Sequence, residues 1–246
     1  MNEEIQIPEE PGTSVILLDA NHCPGAVLFL FKVGDLYHLH TGDMRYHPKM
    51  KLYKELQDIS IHTLYLDTTY CNDNYSFPTQ DKAIEIGIDI MKKERNPKTL
   101  FVIGSYTIGK ERLFLKAAEV FKTKVFVLPD KYQILRCIDV DNNLMTQNPS
   151  ESFIHVTPMN LLSYKEIFGL FNKVKNRYDR IVGFKPTGWS LGKKPFAKYG
   201  NHIVYSIPYS EHSSIIELRE FVAWLKPKEI VPTVSGGDPD KVIVRF

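Results

Sequence analysis

Beyond Pro78 the chain alternates strand-like and helix-like segments, and that alternation leaves few folds open. "SFPTQDKAIEIGIDIMKKE" carries a proline near its start, an early acid, late lysines and apolar residues at helical spacing, which predicts a helix. "TLFVIG" reads as a buried strand, "GKERLFLKAAEVFK" as a helix, "KVFVLP" as a strand and "DKYQILRCI" as a short helix. "SFIHVTPM", a helix through "LLSYKEIFGLFNKVKNR", and "RIVGFKPTGW" continue the pattern. Strands separated by helices pair in parallel, so this part of the chain is expected to form an α/β unit around a parallel sheet. The stretch from Ser190 to Gly200 reads as a loop. "HIVYSIPYSEHSS" follows as a strand ending in a polar cluster, then "SSIIELREFVAWLKP" as an amphipathic helix and "EIVPTVSGG" as a last strand.

The first 70 residues have a different texture. Short β-like runs, "SVILL", "AVLFLF", "LYHLH" and "TLYLD", are separated by turns such as Pro24-Gly25 and Gly34-Asp35. Three of them run straight into polar residues: Asp19-Ala20-Asn21-His22, Thr41-Gly42-Asp43 and Asp67-Thr68-Thr69. Polar groups at strand ends are how a rigid sheet presents chemistry. With 43% hydrophobic residues in 246, the chain can bury one large core or two modest ones. A formal charge of +2 neither demands nor excludes a polyanionic partner. Three cysteines at wide spacings give no disulfide framework and no zinc pattern, so a reducing compartment is expected. The acidic opening "MNEEIQIPEEPG" is unlike a signal peptide, and "AVLFLF" is far too short to cross a bilayer. The expectation is a soluble, intracellular protein without a membrane partner.

Several residues carry chemistry. His22 and Asp43 stand at two loop mouths, but zinc needs at least three protein ligands and these are two. His38 and His40 form an H-x-H on one face of a strand and are read as strand residues. "GSYTIGK" (Gly104–Lys110) satisfies G-x-x-x-x-G-K between a strand and a helix, yet Glu111 stands where a nucleotide site needs Ser or Thr. Nucleotide hydrolysis is therefore excluded, although the helix start, with Lys110, could still meet a phosphate. In "YSEHSS" (Tyr209–Ser214), His212, Ser213 and Ser214 sit between a strand and a helix, where serines can cap the helix or bind an anion. Both readings stay open.

Taken together, "LLDANHCPGAV", "LHTGDMR", "LYLDTTY", "GSYTIGKE", "KPTGW", "IPYSEHSS" and "LKPKEIVPTV", in that order, resemble one family. It is that of the metallo-β-lactamase-fold nucleases with a β-CASP insertion. The resemblance is to the DNA interstrand cross-link repair branch, which includes the nitrogen-mustard-sensitivity nucleases and Artemis, and runs from about Val15 to Val234. It implies a partial αββα sandwich interrupted by an inserted α/β domain, with boundaries expected at 1–77, 78–201 and 202–246. It also implies a zinc-dependent nuclease with 5′→3′ exonuclease action on DNA bearing a 5′ phosphate, working in the nucleus in repair of cross-links and double-strand breaks, with other repair proteins as partners. In that resemblance His22 and Asp43 are metal ligands, and Asp67 and His212 are catalytic positions. Ser213, Ser214, Thr187 and Lys110 are candidates for holding phosphate or DNA. The third β-CASP position falls at Val234, where DNA-acting members have valine.

One departure counts. The family's H-x-H-x-D-H motif, which supplies most of the metal ligands, is absent from the sequence, and His38-Leu39-His40 lies too late to be that motif displaced. The expectation is that the remaining ligands lie upstream of Met1, in a longer nuclease of which this is a piece. The alternatives are a catalytically inactive DNA-binding or scaffold remnant, or a second polypeptide that supplies the missing half. Each implies that this chain alone lacks strong nuclease activity. A missing half-sheet is also expected to leave the strands between Val15 and Phe31 with exposed apolar edges. A lactamase-fold hydrolase of small thioesters or lactams suits the fold but not the insertion.

Overall fold

The computed structural model describes residues 1–188 and 195–234. In chain order its elements are β1 (Glu4–Gln6), β2 (Thr13–Asp19), β3 (Val27–Val33), β4 (Leu36–His40) and β5 (Ile61–Leu66), then α1 (Gln80–Glu94), β6 (Thr99–Ser105), α2 (Glu111–Phe121) and β7 (Val125–Phe126). They continue with α3 (Pro129–Cys137), β8 (Met145–Thr146), β9 (Ile154–Pro158), α4 (Tyr164–Val174), β10 (Arg180–Pro186), β11 (Phe196–Tyr199), β12 (His202–Ile207), α5 (Ile215–Leu225) and β13 (Glu229–Pro232). Two compact units result: residues 1–76 with 211–246, and residues 77–210. No helix among the described residues is long and apolar enough to cross a membrane.

The first unit is built on one six-stranded sheet, ordered β1-β2-β3-β4-β5-β13. β1 to β4 are antiparallel neighbours, while β5 joins β4 and β13 in parallel. The alternation of the strands puts Leu18, Leu28, Leu30, Leu39, Leu64 and Leu66 on one face, where they form a core with Ile215, Leu218, Phe221 and Val222 of α5. This is one sheet with its helix layer, half of an αββα sandwich. The unexpected β1 lies in the acidic opening and pairs with β2, so β2 and β3 are both interior strands. The expected exposure therefore falls on a face of the sheet and not on their edges: Phe29 and Tyr65 on the side away from α5 are each 37% exposed.

The second unit is a seven-stranded sheet ordered β11-β12-β10-β6-β9-β7-β8, parallel except for β11. β6 is buried along its whole length because helices cover both faces of the sheet. α1 and α2 pack Met91, Leu113, Phe114 and Ala117 against Phe101 and Ile103 on one side. α4 and the turn before it pack Ile167 and Leu162 against Leu100 and Val102 on the other. Gly104 is needed at the end of β6, since a Cβ there would stand 2.7 Å from Met159 Sδ and 2.8 Å from Leu162 Cδ1.

Two expectations are corrected in this unit. The stretch Ser190–Gly200 is not all loop: Phe196–Tyr199 forms β11, antiparallel to β12, while residues 190–194 lie outside the described residues. β12, expected to belong to the returning segment from residue 202, pairs in parallel with β10, so the second unit extends through Ser210. The boundary moves because a strand belongs to the sheet that satisfies its backbone hydrogen bonds. The sequence from Ser235 onward, including "DKVIVRF" and the end of "EIVPTVSGG", lies outside the described residues.

Candidate metal centre

Four loop segments of the first unit meet beyond its strands: 20–22 after β2, 41–46 after β4, 67–69 after β5, and 211–214 leading into α5. They are tied by main-chain bonds. Thr41 N donates to Tyr65 O, Arg45 N to Ala20 O, and Ser213 N to Met44 O. Thr41 Oγ1 accepts from Asp67 N at 2.9 Å. Asn21 takes the left-handed conformation, φ 51°, that turns the chain toward His22, and its side-chain amide holds Arg45 O at 3.0 Å.

On this frame His22, Asp43 and His212 each bring one donor atom within 4.8 Å of the others. The Asp43 carboxylate, 62% exposed, lies 4.0 Å from His22 Nε2. His22 Nδ1 stands 2.8 Å from Glu211 O. A carbonyl oxygen only accepts, so Nδ1 carries a proton and Nε2 is the nitrogen turned toward Asp43. His212 Nδ1 donates in the same way to Asp67 Oδ2 at 2.7 Å, so Nε2 is again the nitrogen left for a metal. Metal-binding imidazoles are typically held like this, the second nitrogen donating to a carbonyl or carboxylate. Two imidazole nitrogens and a carboxylate oxygen, two of the three fixed from behind, meet the minimum of three protein donors for a zinc site with an open position. The residues fit a divalent ion.

Asp67 is buried beneath this cluster. Burial alone would raise its pKa, but the hydrogen bond and charge of His212 and two bonds from Thr69 outweigh it and hold the carboxyl below its ordinary value. Its Oδ1 accepts from Thr69 N and Thr69 Oγ1, and its Oδ2 also accepts from Met44 N. Asp67 therefore stays ionised and acts as the orienting partner of His212.

The structure thus brings together His22, Asp43, Asp67 and His212, and adds a third donor to the two expected from the sequence. His38 and His40 lie within β4, as read from the sequence. Ser213 and Ser214 do not serve as free phosphate donors. Ser213 Oγ accepts from Tyr46 N and donates to Met44 O, and Ser214 caps α5 in a reciprocal box with Glu217. Lys110 and Thr187 belong to the second unit. Lys110 is 4% exposed, with its ammonium over the rings of Tyr106 and Tyr209, a buried setting unlike an open phosphate clamp. Thr187 follows β10 half-buried, its N–H donated to Ile207 O. Glu111 is buried against Lys131 and not directed at a phosphate. Val234 lies past β13, where its carbonyl accepts from Thr68 Oγ1. Reading single motifs misses Arg45, although "HTGDMR" contains it, and Glu217, which the spacing Ser214-x-x-Glu217 could have revealed as a capping box.

Comparison with known proteins agrees with the resemblance. The family described as DNA repair metallo-beta-lactamase matches residues 139–238. The DNA cross-link repair 1A protein of Gallus gallus is 44% identical over 240 residues, covering 92% of this chain and 25% of that protein. The 5′ exonuclease Apollo of Gallus gallus is 34% identical over 223 residues, covering 91% of this chain and 46% of that protein. The chain thus spans between a quarter and a half of these relatives' lengths. A crystal structure of a protein of unknown function from Enterococcus faecalis V583 shares the fold, with a TM-score of 0.58 at 14% identity over 94% of this chain and 60% of that one. Over the length it spans, the chain is similar to DNA cross-link repair proteins, and its residues 139–238 match the DNA repair metallo-beta-lactamase family.

Proposed function

We propose that the chain carries part of the catalytic centre of a DNA repair nuclease, a zinc-dependent phosphodiesterase that degrades DNA from a 5′-phosphorylated end in the nucleus. The observation that carries this reading is the convergence of His22, Asp43 and His212 within 4.8 Å. A zinc ion bound there supplies Lewis acidity toward phosphoryl oxygens and lowers the pKa of water to about 7. The chain's own residues have separate tasks. His22 and His212 would hold the metal through Nε2, since Nδ1 of each is engaged as a hydrogen-bond donor, and Asp43 would add an exposed carboxylate oxygen. Asp67 fixes the tautomer of His212. By the resemblance, Thr187 is a candidate contact to a DNA backbone, and Val234 stands where DNA-acting members have valine.

Incubation of the purified chain with zinc or manganese and a 3′-labelled single strand, carrying either a 5′ phosphate or a 5′ hydroxyl, tests this. The expected result is slow metal-dependent shortening from the 5′ end, faster on the phosphorylated strand and abolished by Asp43→Asn. A strand that is bound but stays intact, while the protein binds zinc, would favour the DNA-binding remnant instead.

A further inference from the structure

We infer that Arg45 is the positioning residue of the donor cluster, an inference that rests on the metal-centre reading above. Among the donors, the rings of His22 and His212 meet edge to face with centroids 4.6 Å apart, while His22 and Asp43 come no closer than 4.0 Å. What links their loops is Arg45, two residues after Asp43, whose side chain is among the largest fully buried in the protein. Its Nε and Nη2 donate to Glu217 Oε1 at 3.1 and 2.8 Å, and its Nη1 reaches the carbonyl of His212 at 3.3 Å. Its own backbone completes the connection, N–H to Ala20 O and C=O from the Asn21 amide, the two residues before His22. One residue is thereby bonded to the segments that carry all three donors.

The chemistry explains why the position suits arginine. A buried guanidinium must have its charge and N–H groups satisfied together, and its rigid fork can address a carboxylate and a carbonyl at once. A lysine ammonium can replace the charge but not that geometry. Glu217 divides its carboxylate, Oε1 to Arg45 and Oε2 to the backbone and hydroxyl of Ser214. The cap of α5 and the placement of His212 are thus parts of one arrangement. Asn21 takes the left-handed backbone that asparagine tolerates well, and its side-chain bond to Arg45 O ties that turn to the arginine.

The test uses Arg45→Met combined with Glu217→Gln, which removes the ion pair without stranding a buried charge and keeps a capping side chain at residue 217. Two readouts are taken on folded protein. The first is the imidazole nitrogen resonances of His22 and His212 without metal, identified with His22→Ala and His212→Ala. The second is zinc affinity by competition with a chromophoric chelator. The expected result is a shift of both rings' resonances and a loss of zinc affinity of about tenfold or more, the range for removing a group that orients a metal ligand. Arg45→Lys should fall between that variant and the parent; it keeps Glu217 paired and carries the same test if the double variant does not fold. Unchanged resonances and affinity in a folded variant would overturn the inference. If the parent binds no zinc yet the resonances shift, the metal reading fails while the positioning role of Arg45 stands.

Discussion

Ser213 and Ser214 show how far a residue's role depends on partners remote in sequence. From "SEHSS" alone, capping and phosphate binding both stayed open, and the choice falls to Glu217 on α5 and to Met44 and Tyr46 on a loop more than a hundred and fifty residues earlier. Because Ser214 satisfies a helix N-terminus, Ser214→Ala should lower stability by about 1 kcal/mol. Urea denaturation should show that loss, with the preference for a 5′ phosphate unchanged. A lost phosphate preference at unchanged stability would return the serine to a binding role. Asp67 is different in kind, since its carboxylate accepts from Met44, Thr69 and His212 together. Asp67→Ala would leave those donors without an acceptor in a buried place, a loss of about 2–4 kcal/mol measurable by the same denaturation. His22, Asp43 and Asp67 stand out in the sequence because each follows a strand, but their roles came from the family resemblance. The third donor, His212, could be found only as a motif position, because its distance to His22 is set by the packing of two loops.

The loop after β6 is the clearest case of an element whose chemistry the string misrepresents. "GSYTIGK" has the form of a phosphate loop, with Glu111 in place of the Ser or Thr such a loop needs, and the structure gives Glu111 another task. Glu111 Oε1 accepts from Gly109 N at 2.9 Å and from Lys131 Nζ at 2.7 Å, and Lys131 also donates to the carbonyls of Tyr106 and Thr107. The loop is closed on itself by a buried ion pair from α3. Lys131→Met should therefore destabilise the second unit by about 3–5 kcal/mol, because it leaves Glu111 charged and buried alone. Adding Glu111→Gln should recover most of that loss, and thermal unfolding of the four proteins of the cycle would show it; no recovery would mean that the lysine acts through packing only. The longer elements were legible because the apolar pattern repeats at their own period: the run from Leu100 to Ile103 in the fully buried β6, the amphipathic α2 and α5, the two-faced β3. The short strands β1, β8 and β11 were not, since two to four residues at the side of a sheet carry too little pattern. Their existence depends on a neighbour that offers free hydrogen-bonding groups.

Each unit has its own core, and the two differ in the groups that answer to acid. In the second unit His155 and His202 are 6% and 3% exposed. Burial depresses the pKa of both, with the charge of Arg180 adding to the effect at His202 and that of Arg177 at His155. His202 Nδ1 also accepts from Ile181 N at 3.1 Å, so its lone pair is committed to β10. The sign follows from linkage. A base whose folded pKa lies below its unfolded value, about 6.5 for histidine, binds more protons unfolded, so stability falls as pH drops through that value and levels off below the folded pKa. In the first unit the group is Asp67, whose folded pKa is depressed as an acid. Its contribution is complete above the unfolded carboxylate value of about 3.9 and disappears only as pH falls through the lower folded one. Acidification from pH 7 should therefore weaken the second unit first. In scanning calorimetry at a series of pH values, the transition of that unit should move down between about pH 6.5 and 5 while the other holds, until the carboxylate range is reached. His202→Asn, which offers Ile181 a neutral acceptor, should flatten the first of these slopes and leave the second in place. A His202→Asn profile parallel to that of the parent from pH 7 to 5 would show that the acid sensitivity of the parallel sheet has another source.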